Sequence, residues 1–338
     1  MSQVTWTTRY KAPNISVWRG RSDSPPRSAL FQIVEALDLR QKPAALNTPA
    51  FAVLGFCCDE GVRRNLGRLG AAQGPLAIRE ALAKLPLHRA DIRLFDAGDI
   101  ACEDGDLESA QMALGEAVAI LHGANITPLV LGGGHEVAYG HYLGLDASFP
   151  GHDIGIVNID AHLDMRPLLP GQKGSSGTPF LQIVNHLSTQ GKHLHYSCLG
   201  AQMTGNTAPV FAAAKQHNVK IVTADELVLG INPHLQQKLE HLLQDHSVNY
   251  LTLCLDAFAG AHAPGVSAPQ AFGLSPWTMI PLLRHWATSG RVRSYDIAEL
   301  CPPLDHDHRT AKLAAQWLFE IIHHHEHHKH QHLKHQPT

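Results

Sequence analysis

A chain of 338 residues, 44% of them hydrophobic, has enough apolar material for one large domain and too much for a disordered polymer. Its formal net charge of -3 argues against a protein that tracks nucleic-acid phosphates. No run of about 18 apolar residues suits a membrane-spanning helix, and residues 1–20 mix charged and polar groups without the apolar centre of a secretory signal.

The N-terminal segment, residues 1–47, carries Pro25-Pro26 and Pro43 and reads as irregular chain wrapped around the domain. Residues 51–56 (FAVLGF) form an apolar run expected to be a buried strand. A helix is expected over 75–85, with proline near its first position. A strand over 92–97 and a long helix over 107–121 follow. Residues 127–131 (TPLVL) read as a strand that runs into Gly132-Gly133-Gly134, and 154–159 as another. Further on, strands are expected over 193–199, 220–223, 250–255 and 292–297. Helices are expected over 209–217, 233–244, 277–288 and 309–322. Strands alternating with helices imply a parallel sheet covered on both faces, which is an α/β fold. Ligands of such sheets lie beyond the carboxyl ends of the strands. One such domain is therefore expected over 48–322.

The six cysteines match no zinc-finger spacing, and most of them read as reduced core residues, as expected in the cytoplasm. Histidine is abundant, with 25 residues, and many fall in 323–338 (HHHEHHKHQHLKHQPT). That segment lacks an apolar face and is expected to be a disordered tail, solvated or able to bind borderline metals.

Three segments carry chemistry. Gly132-Gly133-Gly134-His135-Glu136 follows one apolar strand, Asp160-Ala161-His162-Leu163-Asp164 a second, and Cys254-Leu255-Asp256 a third. Each alone has an ordinary reading: a glycine turn with an incidental histidine, a charged strand end, a buried cysteine beside a capping aspartate. In an extended chain, however, residues two apart share a face, so Asp160, His162 and Asp164 would project together. Carboxylates and imidazoles suit manganese, iron or zinc. Glycines let backbone approach a ligand closely. Three such segments closing three separate strands point to a metal centre.

The motifs GGGHE (132–136), NIDAHLD (158–164) and CLDAF (254–258) resemble those of the arginase, agmatinase and formimidoylglutamase superfamily, in order and spacing. The resemblance extends from about residue 52 to about residue 315. Several stretches look like formimidoylglutamase in particular: 58–65 (CDEGVRRN), Gly67-Arg68, 132–142 (GGGHEVAYGHY), 175–180 (SSGTPF) and 263–269 (APGVSAP). It implies a three-layer α/β/α, arginase-like fold with a central parallel sheet. It also implies two Mn2+ ions per subunit, one on His135, Asp160, Asp164 and Cys254, the other on Asp160, His162, Cys254 and Asp256. The superfamily usually has aspartate where Cys254 stands, and a thiolate prefers zinc or iron.

The implied reaction is hydrolysis of N-formimidoyl-L-glutamate to L-glutamate and formamide by a hydroxide held between two cations, a step of histidine degradation. Asp164 is the candidate proton acceptor, and Glu299 the carboxylate that pairs with the amidinium. Arg166, two residues beyond Asp164, suits a substrate carboxylate. Arg63 and Arg64 are candidates for the other carboxylate, and Thr178 for further hydrogen bonds. Agmatinase-like members usually read S-H-G-T where this chain has Ser175-Ser176-Gly177-Thr178. The partner is then a small molecule, with neither nucleic acid nor membrane, and superfamily members often form homo-oligomers. The competing readings are a guanidine hydrolase, which would release urea, and a non-catalytic metal-binding protein.

Overall fold

The computed structural model describes residues 6–230 and 232–326. The segment before the first long strand contributes two short strands, β1 (Tyr10–Lys11) and β2 (Val34–Ala36). Strands β3 (Ala50–Cys57), β4 (Leu94–Ala101), β5 (Ile126–Leu131), β6 (Ile154–Ile159) and β7 (His195–Ala201) follow. They are succeeded by β8 (Lys220–Thr223), β9 (Val248–Cys254) and β10 (Val292–Ala298). The described strands form one sheet in the order β1-β4-β3-β5-β10-β9-β6-β7-β8, with β2 also on β4. All pairs are parallel except β1 with β4.

The sheet is covered on both faces because its strands are apolar on both. Val53, Leu129 and Leu253 face one layer, with Ile78, Trp286, Trp317 and Leu318. Their neighbours Ala52, Leu54 and Val130 face the other, with Leu114, Val118 and Leu121. Alternation with period two therefore sorts each strand between two cores. The first layer is built from α2 (Gly74–Leu82), α9 (Pro276–Thr288) and α10 (Arg309–His324), the second from α3 (Leu107–Gly123), α4 (Val137–Ser148) and α5 (Pro179–Ser188). The short α1 (Glu60–Arg64), α6 (Ala208–Gln216), α7 (Ala224–Val228) and α8 (Pro233–Glu240) complete the helices. The result is the expected three-layer α/β/α arrangement.

Strands β3 and β5 to β10 lie within a few residues of their expected positions. The strand expected over 92–97 is shifted: β4 runs on to Ala101. Helices α4 and α5 have no counterpart in the sequence reading. In α4, Gly140 and Gly144 lower helix propensity and blur the apolar stripe. Their role is contact with α3: a Cβ at Gly144 would lie 2.6 Å from the Gly115 carbonyl oxygen. The expected tail boundary falls inside α10, which runs to His324. His325 is 3% exposed, with its Nδ1 2.8 Å from the Tyr295 hydroxyl. The rest of the tail, 327–338, lies outside the described residues. The six cysteines are unpaired, and Cys58, Cys198, Cys254 and Cys301 are buried. No described helix is long and apolar enough to cross a membrane.

Candidate metal centre and active site

Four neighbouring central strands, β5, β10, β9 and β6, deliver the chemical groups at their carboxyl ends. His135 follows β5, Glu299 follows β10, Cys254 ends β9, and Asp160 follows β6. The glycine turn before His135 passes so close to the residue after β3 that a Cβ on Gly133 would lie 1.6 Å from the Cys58 carbonyl oxygen. Only glycine fits there.

The segment after β6 does not stay extended. It bends at Ala161 and His162, and Asp164 sits at φ 47°, in the left-handed region. This corrects the expectation that strand alternation gathers Asp160, His162 and Asp164. The gathering is done by a turn: the His162 N–H donates to Asp160 Oδ1 at 2.7 Å, and the Leu163 N–H to Asn206 Oδ1 at 2.8 Å. Glu299 is also left-handed, at φ 71°. Backbone strain of this kind collects at functional sites.

The side chains form two clusters with donor atoms close enough to hold a cation. One is His135, Asp160 and Cys254; the other is Asp160, His162 and Asp256. Asp160 belongs to both and is fully buried. His135 Nδ1 lies 2.9 Å from Asp160 Oδ2 and 2.9 Å from Asp164 Oδ2. His162 Nδ1 lies 3.1 Å from Asp256 Oδ2. The expected ligands are thus brought together.

The electrostatics call for positive charge. Burial, and then the charge of Asp160, push Asp164 up to about 6. Burial, followed by Asp256, pushes Glu299 up to about 8, and burial raises Asp256 too. Burial alone would depress His162, but Asp256 and Asp160 lift it to about 12. Burial also opposes the charge on Asp160, yet His135 and His162 hold it below the usual carboxylate range. The Cys254 thiol is pushed far up by burial and then by its acidic neighbours. Ionising all four carboxylates together would outweigh the two imidazoles out of water, which is costly unless cations are present.

The donor geometry fits such cations. His135 Nδ1 has no hydrogen-bond partner, although two carboxylate oxygens lie close, while its Nε2 is 2.9 Å from the Thr252 hydroxyl. A ring fixed at one nitrogen with the other directed into a carboxylate cluster is how metal-binding histidines are held. Asp256 Oδ1 is likewise buried without a partner.

A cavity of about 360 Å³ opens over the clusters. His135, His162, Asp164, Cys254, Asp256 and Glu299 line it. Arg166 lines it as expected, its Nη1 donating to Asn65 Oδ1 at 2.7 Å. Arg63, Arg64 and Thr178, the other expected substrate contacts, are not in its lining. Arg63 pairs with Glu60 at the surface. Arg64 is bound by Glu60, Glu108 and the Gly174 carbonyl. Thr178 Oγ1 is buried in a turn, accepting from the Ser175 N–H and donating to the Gln182 side chain. The sequence reading missed Asn65, Arg68, Asn206 and Ser267 in the cavity wall. Gly67-Arg68 stood out in the sequence, but nothing there showed which way Arg68 points.

Comparison with known proteins agrees with this geometry. The family model of the arginase family matches residues 49–324. A formimidoylglutamase of Legionella pneumophila is 40% identical over 315 residues, covering 93% of this chain and 98% of the relative. One from Geobacillus thermodenitrificans is 42% identical over 320 residues, covering 93% and 97%. Among solved structures, Trypanosoma cruzi formiminoglutamase with Mn2+ superposes with a TM-score of 0.75 at 26% identity, covering 89% of this chain and 98% of that one. This chain belongs to the arginase family.

Proposed function

We propose that this protein hydrolyses N-formimidoyl-L-glutamate to L-glutamate and formamide. The observation that carries the reading is the pairing, in one cavity, of a shared-carboxylate double cluster with Arg166 and Glu299. The clusters suit a hydrolysis, Glu299 a cationic amidine, and Arg166 an anionic tail. Relatives about 40% identical over nearly the whole chain are formimidoylglutamases, which supports the same substrate.

The proposed cofactor is Mn2+, two ions per subunit, as its oxygen and imidazole donors suit. When bound, such a pair of cations acidifies water and supplies a nucleophile at neutral pH. Residues His135, Asp160, Asp164 and Cys254 would hold one ion, and Asp160, His162, Cys254 and Asp256 the other.

The chain's own residues do the rest. Glu299 accepts hydrogen bonds from the amidinium and fixes its plane, with the carbon facing the clusters. Arg166, steadied by Asn65, takes a carboxylate of the glutamate portion. Asp164 accepts the proton released by the attacking water at a carboxylate oxygen. It then delivers that proton to the glutamate nitrogen as the C–N bond breaks. Where agmatinase-like relatives carry histidine, Ser176 lines the cavity, and its hydroxyl accepts from Asn65 Nδ2 at 3.2 Å. A cytoplasmic setting, supported by six unpaired thiols, and a homo-oligomeric state belong to the same proposal.

Product analysis by NMR on manganese-loaded protein tests the reading. Equal amounts of glutamate and formamide are expected from N-formimidoyl-L-glutamate. Ammonia with N-formylglutamate instead would place the cleavage at the other C–N bond and refute the proposed orientation.

A further inference from the structure

A guanidinium is charged at every accessible pH, so an arginine in a cavity wall needs an anion or water. Elsewhere in this fold the most deeply buried arginines have carboxylates: Arg9 with Asp104, Arg64 with Glu60 and Glu108, Arg79 with Asp96 and Asp99, whereas the half-buried Arg93 and Arg293 form no ion pair among the described residues. Two exposed arginines that line the active-site cavity have neutral partners instead. Arg166 is held by the neutral Asn65. Arg68 is held by backbone carbonyls, its Nε donating to Ser267 at 2.9 Å and its Nη2 to Val266 at 2.8 Å. Among the described residues neither has an acidic partner.

The loop that presents Arg68 is built for this position. Leu66 takes a left-handed φ of 61°, and the Gly67 N–H closes a turn on the Val62 carbonyl at 2.9 Å. A Cβ on Gly67 would lie 2.8 Å from Ser267 Oγ, so the loop touches the 266–267 segment directly. The Arg68 N–H donates to that same hydroxyl at 2.8 Å. Backbone acceptors thus aim the guanidinium without neutralising it. Fixing a charged fork through neutral acceptors keeps its charge for a ligand.

We infer that Arg68 receives the second carboxylate of the substrate, with Arg166 taking the first. The inference rests on the proposed hydrolysis of N-formimidoyl-L-glutamate, whose two carboxylates match two uncompensated guanidiniums. It replaces Arg63 and Arg64, both of which are spent on glutamates.

The test compares wild type, Arg68→Met, Arg68→Lys and Arg166→Met, all manganese-loaded. Their substrates are N-formimidoyl-L-glutamate and two truncated analogues. N-formimidoyl-4-aminobutyrate lacks the α-carboxylate, and N-formimidoyl-L-2-aminobutyrate lacks the side-chain carboxylate. L-glutamate binding is measured in parallel by calorimetry. Arg68→Met is expected to raise KM for the full substrate roughly 10- to 100-fold with kcat little changed, as loss of a charge-assisted contact made in the ground state does. The Kd for L-glutamate should rise by a similar factor, and Arg68→Lys should fall between. One analogue should be insensitive to Arg68→Met and the other to Arg166→Met. Unchanged KM and Kd in Arg68→Met would overturn the inference. So would equal losses on both analogues, which is the signature of a loop merely loosened. A wild type that releases no glutamate refutes the functional reading itself, and the inference with it, before any variant is compared.

Discussion

Glu299 Oε1 accepts a hydrogen bond from the backbone N–H of His135 at 2.9 Å, and the Glu299 N–H donates to the Gly133 carbonyl at 2.8 Å. The carboxylate proposed to hold the amidinium is therefore tied twice to the turn that carries a metal-site imidazole. Substrate position and metal position are set by one piece of backbone.

Glu299→Gln keeps an oxygen for the His135 N–H and removes the charge that faces the amidinium. Its kcat/KM for N-formimidoyl-L-glutamate should fall roughly 10²- to 10³-fold, the scale of losing one preorganised electrostatic contact. Metal content, read by elemental analysis, should not change. Loss of metal alongside activity would instead make Glu299 part of the metal support.

Cys254 is the departure from the usual aspartate. Cys254→Asp exchanges a thiol for an oxygen donor and should tighten manganese binding relative to zinc. A shift of roughly 10- to 100-fold in the ratio of dissociation constants is expected, the range produced by changes around a metal ligand. Equilibrium dialysis should use a chain ending at residue 326, so that the imidazoles of 327–338 do not contribute. An unchanged ratio would mean that Cys254 does not coordinate.

Metal removal should destabilise the protein, and increasingly so as pH rises. In the metal-free state Glu299 titrates near 8 and Asp164 near 6, both above their ordinary values. The native state then holds protons that the unfolded chain has released. That contribution is complete below about pH 4, the ordinary carboxylate range, and is lost as pH climbs through 6 to 8. Cations favour the ionised ligands and reverse this trend. The difference in Tm between manganese-loaded and chelated protein should widen from pH 5 to pH 8. A difference that shrinks would contradict the site.

Arg79 supports the fold rather than the chemistry. Its guanidinium is buried between Asp96 and Asp99, and the Trp18 indole N–H donates to Asp96 at 2.7 Å. Arg79→Met leaves Asp96 charged and unpaired out of water, which costs about 3–5 kcal/mol. The urea unfolding midpoint should fall accordingly, while kcat/KM at low temperature stays near wild type. A wild-type midpoint would show that water or Trp18 compensates.

Much of this was legible in the sequence. The apolar runs of β3, β5, β6 and β9 are buried on both faces and stand out as strands. The metal-competent residues follow such runs directly, so their convergence could be anticipated. The cavity wall could not. Arg64, Arg63 and Thr178 lie in the right segments, but local partners only three or four residues away, Glu60, Ser175 and Gln182, claim their side chains. Arg68 is recruited by carbonyls about 200 positions away in the chain, a contact with no sequence signal. Helix α4 was hidden by the glycines that let it touch α3.

The decisive measurement is the ratio of kcat/KM for N-formimidoyl-L-glutamate to that for agmatine and for arginine, on one manganese-loaded preparation. Glutamate release is followed for the first substrate and urea release for the others. A ratio strongly favouring N-formimidoyl-L-glutamate, with urea at background, is the result predicted by a cavity that presents Arg166 and Arg68 to a dicarboxylate. Urea release exceeding glutamate release would contradict it and make the protein a guanidine hydrolase.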